Sequence, residues 1–202
     1  MKNKIIHDTI ILTVITIVAG FLLGLVHDIT KKPIADAEFK KQQAAYQKVF
    51  ADAASFEKYE DFNADAATKA AADAGFENDL VEAAQVALDE SGNPLGYVIT
   101  VTSTEGSQAN ITLSMGVTLD GVLNGYETTK ISETPGLGSK VADDDFKAQF
   151  EGKNVETYTV TKTGAASDSE IDALSGATIS TRAVTNAVNA GLAYFRSIGG
   201  GN

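Results

Sequence analysis

From Ile10 to Val26 the chain reads IILTVITIVAGFLLGLV, an uncharged run with no polar face. As a helix it is at the short end of what crosses a bilayer's hydrocarbon core, and it predicts one transmembrane helix. A cleaved signal sequence is the competing reading, because Lys2 and Lys4 give a basic start and Ala35-Asp36-Ala37 has the A-x-A form. That site lies well beyond the apolar run, past Lys31 and Lys32, so the retained anchor over residues 1–29 is preferred. Lysines flank the run on both sides, Lys2 and Lys4 before it and Lys31, Lys32, Lys40 and Lys41 after it, so charge does not settle the topology. The spacing of Phe39, Ala44, Tyr46 and Val49 predicts a second helix over 34–50 that packs one face on the following domain, with Pro33 in its first turn.

Residues 30–78 read as a juxtamembrane helical segment. Its later part, 51–78, is rich in Ala, Asp and Glu with isolated Phe56, Tyr59, Phe62 and Phe76, and suggests short helices or loops over a core. The pattern then changes period. Val81 to Asp89 runs into the turn Ser91-Gly92-Asn93-Pro94, and Leu95 to Ser103 alternates Tyr97, Ile99 and Val101 as a half-buried strand would. Ile111 to Leu119 alternates again, Asp120-Gly121 is a turn signal, and Val122 to Thr129 continues the series. A short helix over Asp143–Phe150, a final strand over Thr157–Lys162 and a longer helix over Ile179–Ile198 complete the pattern. The expected fold is α+β, a small antiparallel sheet with packed helices over 79–202, preceded by the anchor. Gly199 to Asn202 reads as a frayed end.

Composition narrows the chemistry. Beyond residue 26 there are 14 basic against 26 acidic side chains, the chain's 16 and 27 less Lys2, Lys4 and Asp8, a surface that repels nucleic acid. With no cysteine, disulfides, thiol catalysis and iron–sulfur ligation are excluded. His7 and His27 flank the apolar run and are too far apart to share a metal, so no metal site is expected. The sequence contains no GxxxxGK[ST] loop, no GxSxG elbow and no GxGxxG fingerprint.

Asp172-Ala173-Leu174-Ser175-Gly176-Ala177-Thr178 stands directly before the last helix. A small-residue turn lets a ligand approach the backbone, and the free N–H groups of a helix start favour an anion such as a phosphate. Thr178 places a hydroxyl there, with Ser180, Thr181 and Arg182 in the first turn. On local chemistry alone, Ser175 or Thr178 acting as an ordinary N-cap is the more economical reading. The string DALSGAT, however, resembles the flavinylation motif D-x-x-[ST]-G-A-[ST] of the FMN-binding domain family, matching at every fixed position. Glu133-Thr134-Pro135-Gly136-Leu137-Gly138 resembles the ETPGLG loop that lines the flavin in the same family. Either motif alone could be a structural turn; both in this order point to the family.

Within it, one N-terminal transmembrane helix, an ETPGLG loop and a C-terminal SGAT helix most resemble the G subunits of Rnf electron-transport complexes. The resemblance implies FMN joined to Thr178 by a phosphoester. It implies recognition of Asp172, Ser175, Gly176 and Ala177 by a flavin transferase that uses FAD as donor, and contact of Glu133 through Gly138 with the ring. No residue is expected to act as an acid–base catalyst. The implied setting is the cell membrane, single-pass, with the soluble domain outside the cytoplasm. The implied partners are the other subunits of an ion-translocating ferredoxin:NAD oxidoreductase. The C subunit of a sodium-pumping NADH:quinone reductase, an extracellular electron-transfer flavoprotein and a non-redox anchored scaffold stay open as alternatives. Lys140 and Arg182 are further candidates for the anionic parts of FMN.

Overall fold

The computed structural model describes residues 2–201, and the chain forms two units, Met1–Lys41 and Gln42–Asn202. Helix α1 (Lys2–Val49) runs unbroken through Pro33, which is inside the helix and not in the first turn of a second one. The Ala, Glu, Lys and Gln that follow Pro33 are strong helix formers, and they carry the helix past the one N–H that proline lacks. Ile10, Ile15, Val18, Phe21, Leu22 and Val26 are all more than half exposed around its circumference. The apolar run is long and apolar enough, by length and composition, to cross a membrane, as its uncharged pattern predicts.

In the second unit, β1 (Ser55–Lys58), β2 (Asp79–Leu88), β3 (Pro94–Ser103), β4 (Ile111–Thr118) and β5 (Leu123–Lys130) form an antiparallel meander in that spatial order. Helix α2 (Ala64–Asp73) lies between β1 and β2, and the short α3 (Asp144–Lys147) follows β5. β6 (Thr159–Thr161) and β7 (Glu170–Asp172) pair in parallel, and α4 (Thr178–Ser197) closes the fold. The architecture is α+β, as the pattern predicts. Ile99, Val101, Leu113, Met115 and Val117 on one face of the sheet bury with Ala183, Val184, Ala187, Val188 and Phe195 of α4 and Ala67 and Ala71 of α2.

The opposite face is also covered, which corrects the half-buried reading of β3. Val98 and Ala87 pack with Tyr46, Val49 and Phe50 at the end of α1, and every residue from Val98 to Ser103 is buried. That end of α1 uses Ala45, Tyr46, Val49 and Phe50, while Phe39 and Ala44, expected on the same face, are exposed. The side chain of Asn124 donates to the Val49 carbonyl at 3.0 Å, satisfying an acceptor the helix end leaves open. β1 lies within the stretch read as helices and loops, and β7 falls after the strand read as final; each offers a single apolar residue, too little to register a period. The tail is folded as far as it is described, with the Gly200 and Gly201 N–H groups donating to Phe195 and Leu119 carbonyls at 3.1 and 3.3 Å; Asn202 lies outside the described residues.

Candidate cofactor site

Both motifs fold as tight turns. In Thr134-Pro135-Gly136-Leu137 the Leu137 N–H donates to the Thr134 carbonyl at 3.1 Å, with Pro135 at the second position and Gly136 at φ +75° in the third. That is the type II arrangement, in which proline presets one φ and glycine supplies the positive one. In Leu174-Ser175-Gly176-Ala177 the Ala177 N–H donates to the Leu174 carbonyl at 3.0 Å, and Gly176, again third, has φ +76°. The turns touch, since a Cβ on Gly176 would lie 3.4 Å from Leu137 Cδ2.

The second turn feeds directly into α4. Ala177 occupies the N-cap position and no side chain caps it, so neither Ser175 nor Thr178 plays the ordinary capping part. Thr178 is the first helical residue, and by helix geometry its N–H and those of Ile179 and Ser180 have no intrahelical acceptor. Thr181 fixes the turn to the helix. Its hydroxyl accepts from the Leu174 N–H at 3.2 Å and donates to the Ala177 carbonyl at 3.0 Å.

A carboxylate binds the two motifs together. Glu133, buried, accepts the Ser180 hydroxyl on Oε2 at 2.9 Å and the Gln108 N–H on Oε1 at 3.2 Å. Gly138 sits against this pair, where a Cβ would lie 2.5 Å from both Glu133 Oε2 and Ser180 Oγ. The result is an open cavity of 340 Å³ lined by Glu133, Thr134, Leu137, Gly138, Gly176, Ala177 and Thr178, joined by Ser107, Ile179 and Ser180. That volume lies within the range of small-molecule sites.

Pro135, Gly136, Asp172 and Ser175 are exposed and do not line the cavity, and neither do Lys140 and Arg182. Ser107, the Glu133–Ser180 bond and Ile179 are additions to the sequence reading. Ser180 is expected from the sequence to stand by a phosphate, whereas its hydroxyl is held by Glu133.

The lining suits an FMN phosphoester. Thr178 is the first residue of α4, beside its uncapped N–H groups and the positive end of its dipole, where a phosphate would be stabilised without a basic side chain. Glu133, the one ionisable residue lining the cavity, has an N–H or O–H donor on each oxygen. Leu137 and Ile179, 46% and 51% exposed, present apolar surface at the cavity for a flat ring to cover.

Comparison with known proteins agrees with this geometry. Residues 106–193, which hold both turns, match the FMN-binding domain family, and residues 1–49 match the RnfG N-terminal region. The chain is 31% identical, over 96% of its length and 95% of the relative's, to the G subunit of the ion-translocating oxidoreductase complex of Methanosarcina acetivorans. It is 32% identical to the G subunit of the Na(+)-translocating ferredoxin:NAD(+) oxidoreductase complex of Acetobacterium woodii, over 94% and 90% of the two chains. It is 26% identical to the proton-translocating counterpart of Clostridium ljungdahlii, over 99% and 96%.

Proposed function

Because this chain belongs to the family of G subunits of ion-translocating oxidoreductase complexes, we propose that it carries FMN covalently on Thr178 and relays electrons within a membrane-bound ferredoxin:NAD oxidoreductase. The observation that carries this reading is the meeting of the two turns in one cavity, with Thr178 at the uncapped start of α4.

FMN supplies one- and two-electron chemistry when bound, and the protein's part is attachment, position and tuning. Attachment would join the Thr178 oxygen to the phosphorus of the FMN moiety of FAD as the phosphoanhydride bond breaks and AMP leaves, with a base of the transferase taking the hydroxyl proton. The exposed Asp172 and Ser175 and the bend at Gly176 are the features that enzyme would read. The Thr178, Ile179 and Ser180 N–H groups would hold the phosphate of such an ester, and Glu133 keeps Ser180 and the Gln108 backbone in place. Gly138 leaves room for the Glu133–Ser180 bond at the cavity wall, and Leu137 and Ile179 would cover part of the ring from water.

The helix over the apolar run anchors the subunit in the cell membrane, with the flavin domain outside the cytoplasm. A covalent tether suits that location, where a lost flavin could not readily be replaced. The coupling ion is left open by relatives that are named for sodium and for proton translocation.

Complementation tests the relay. Membranes from cells deleted for this chain are expected to lose ferredoxin-dependent NAD reduction, and the wild-type chain to restore it, while Thr178→Val assembles but does not. Equal restoration by Thr178→Val would defeat the proposal.

A further inference from the structure

The β3–β4 loop gives Ser107 to the cavity wall and the Gln108 N–H to Glu133, and it is rooted beside a buried acid. Asp79 opens β2 at 1% exposure, opposite Ser103 at the end of β3. Strand alternation sets it on the same face as Val81, within the core shared by α2 and α4. Neither of its carboxylate oxygens has a hydrogen-bond partner. The Ser103 hydroxyl is close enough to ease a charge there but outside hydrogen-bonding geometry.

The neighbours of Asp79 bolt down the loop. Thr104 donates its N–H and its hydroxyl to the Asn78 carbonyl at 3.0 and 2.9 Å. Glu105 accepts the Asn78 amide on Oε1 at 3.2 Å and the amide of Asn186 of α4 on Oε2 at 2.8 Å. Glu105 is the charged group that acts on Asp79. On the packed elements, Lys69 and Asp73 of α2 pair with each other at the surface, and Glu77, Glu82 and Arg182 are exposed.

An ionised carboxylate buried without a partner is costly, so the neutral form is favoured. Burial raises the pKa of Asp79 to about 7, against relief from Ser103 and with added repulsion from Glu105. We propose that Asp79 is a proton-binding positioning residue, whose bound proton keeps the Glu105–Asn110 segment, which gives Ser107 to the cofactor cavity, closed on α4. Loss of the proton puts a second negative charge beside Glu105 in the interior. The carboxylate is then drawn toward water, and the Asn78–Glu105–Asn186 bonds next to it give way. The sign follows from linkage: the folded state holds a proton that the unfolded chain releases, so this stabilisation is full below the ordinary carboxylate range and is lost as pH rises through about 7.

The inference concerns the cavity wall and not its occupant, so its failure would leave the flavin reading standing. The test is amide hydrogen exchange on the full chain in detergent, without flavin, at about pH 6 and about pH 8, corrected for intrinsic rates, with infrared spectra at both. Protection of residues 104–110 is expected to fall roughly tenfold at the higher pH, together with a protonated carboxylic acid band. In the neutral isostere Asp79→Asn the band should be missing and the protection equal at both values. A loop whose exchange ignores pH in the wild type, a pH response that survives in Asp79→Asn, or an Asp79 already ionised at the lower pH would each overturn the proposal.

Discussion

At the scale of single residues, the site depends on groups that leave room and groups that fill hydrogen-bond valences. Gly138 is the clearest of the first kind. Gly138→Ala would drive a methyl group into the Glu133–Ser180 bond, and because both partners are buried they have little room to yield. A loss of about 1–3 kcal/mol in denaturant unfolding is expected, read as a lower midpoint. An unchanged midpoint would mean that the carboxylate clamp is not tight. The motif residues are legible in the sequence because each carries its chemistry locally: a glycine where a turn needs positive φ, a hydroxyl where a helix begins. The Glu133–Ser180 bond is not, because its partners are 47 residues apart and no local pattern links them. Ser107 is hidden for a similar reason, being an ordinary loop serine until the fold brings it to the cavity.

At the scale of elements, α4 sets the site's geometry, and the turn before it is held by one side chain. In Thr181→Val the Leu174 N–H loses its acceptor while the methyl groups still fill the buried space. The expected cost is about 1–3 kcal/mol of stability, with a lower fraction of chains flavinylated by the transferase. Full flavinylation at wild-type stability would show that the turn holds itself. Strands β2 to β5 are legible because each is long enough to alternate and is bounded by Gly, Asn, Asp or Pro. β1 and β7 are too short to do so, and β7 carries Asp172, so the start of the proposed flavinylation motif lies on a strand that periodicity does not reveal. The helical character of 34–50 is legible too, but its buried positions differ at Ala45 and Phe50, because an apolar face reached from a single Phe39 starts from an exposed residue.

At the scale of the whole molecule, a helix whose apolar run is long enough to cross a membrane precedes an α+β domain that holds the candidate cofactor cavity. The second unit keeps both hydrophobic clusters complete from Gln42 onward, including Tyr46, Val49 and Phe50. A chain starting at Gln42 is therefore expected to stay soluble without detergent and to unfold at the same temperature as the full chain; aggregation would mean that residues before it complete the fold. Every larger role rests on the proposed bond at Thr178. The most direct test is the intact mass of the full chain co-expressed with a flavin transferase, compared with Thr178→Val. The expected result is a mass increase of FMN less water in the wild type, absent in the variant; an unmodified wild-type chain, or the same increase in Thr178→Val, would contradict the assignment.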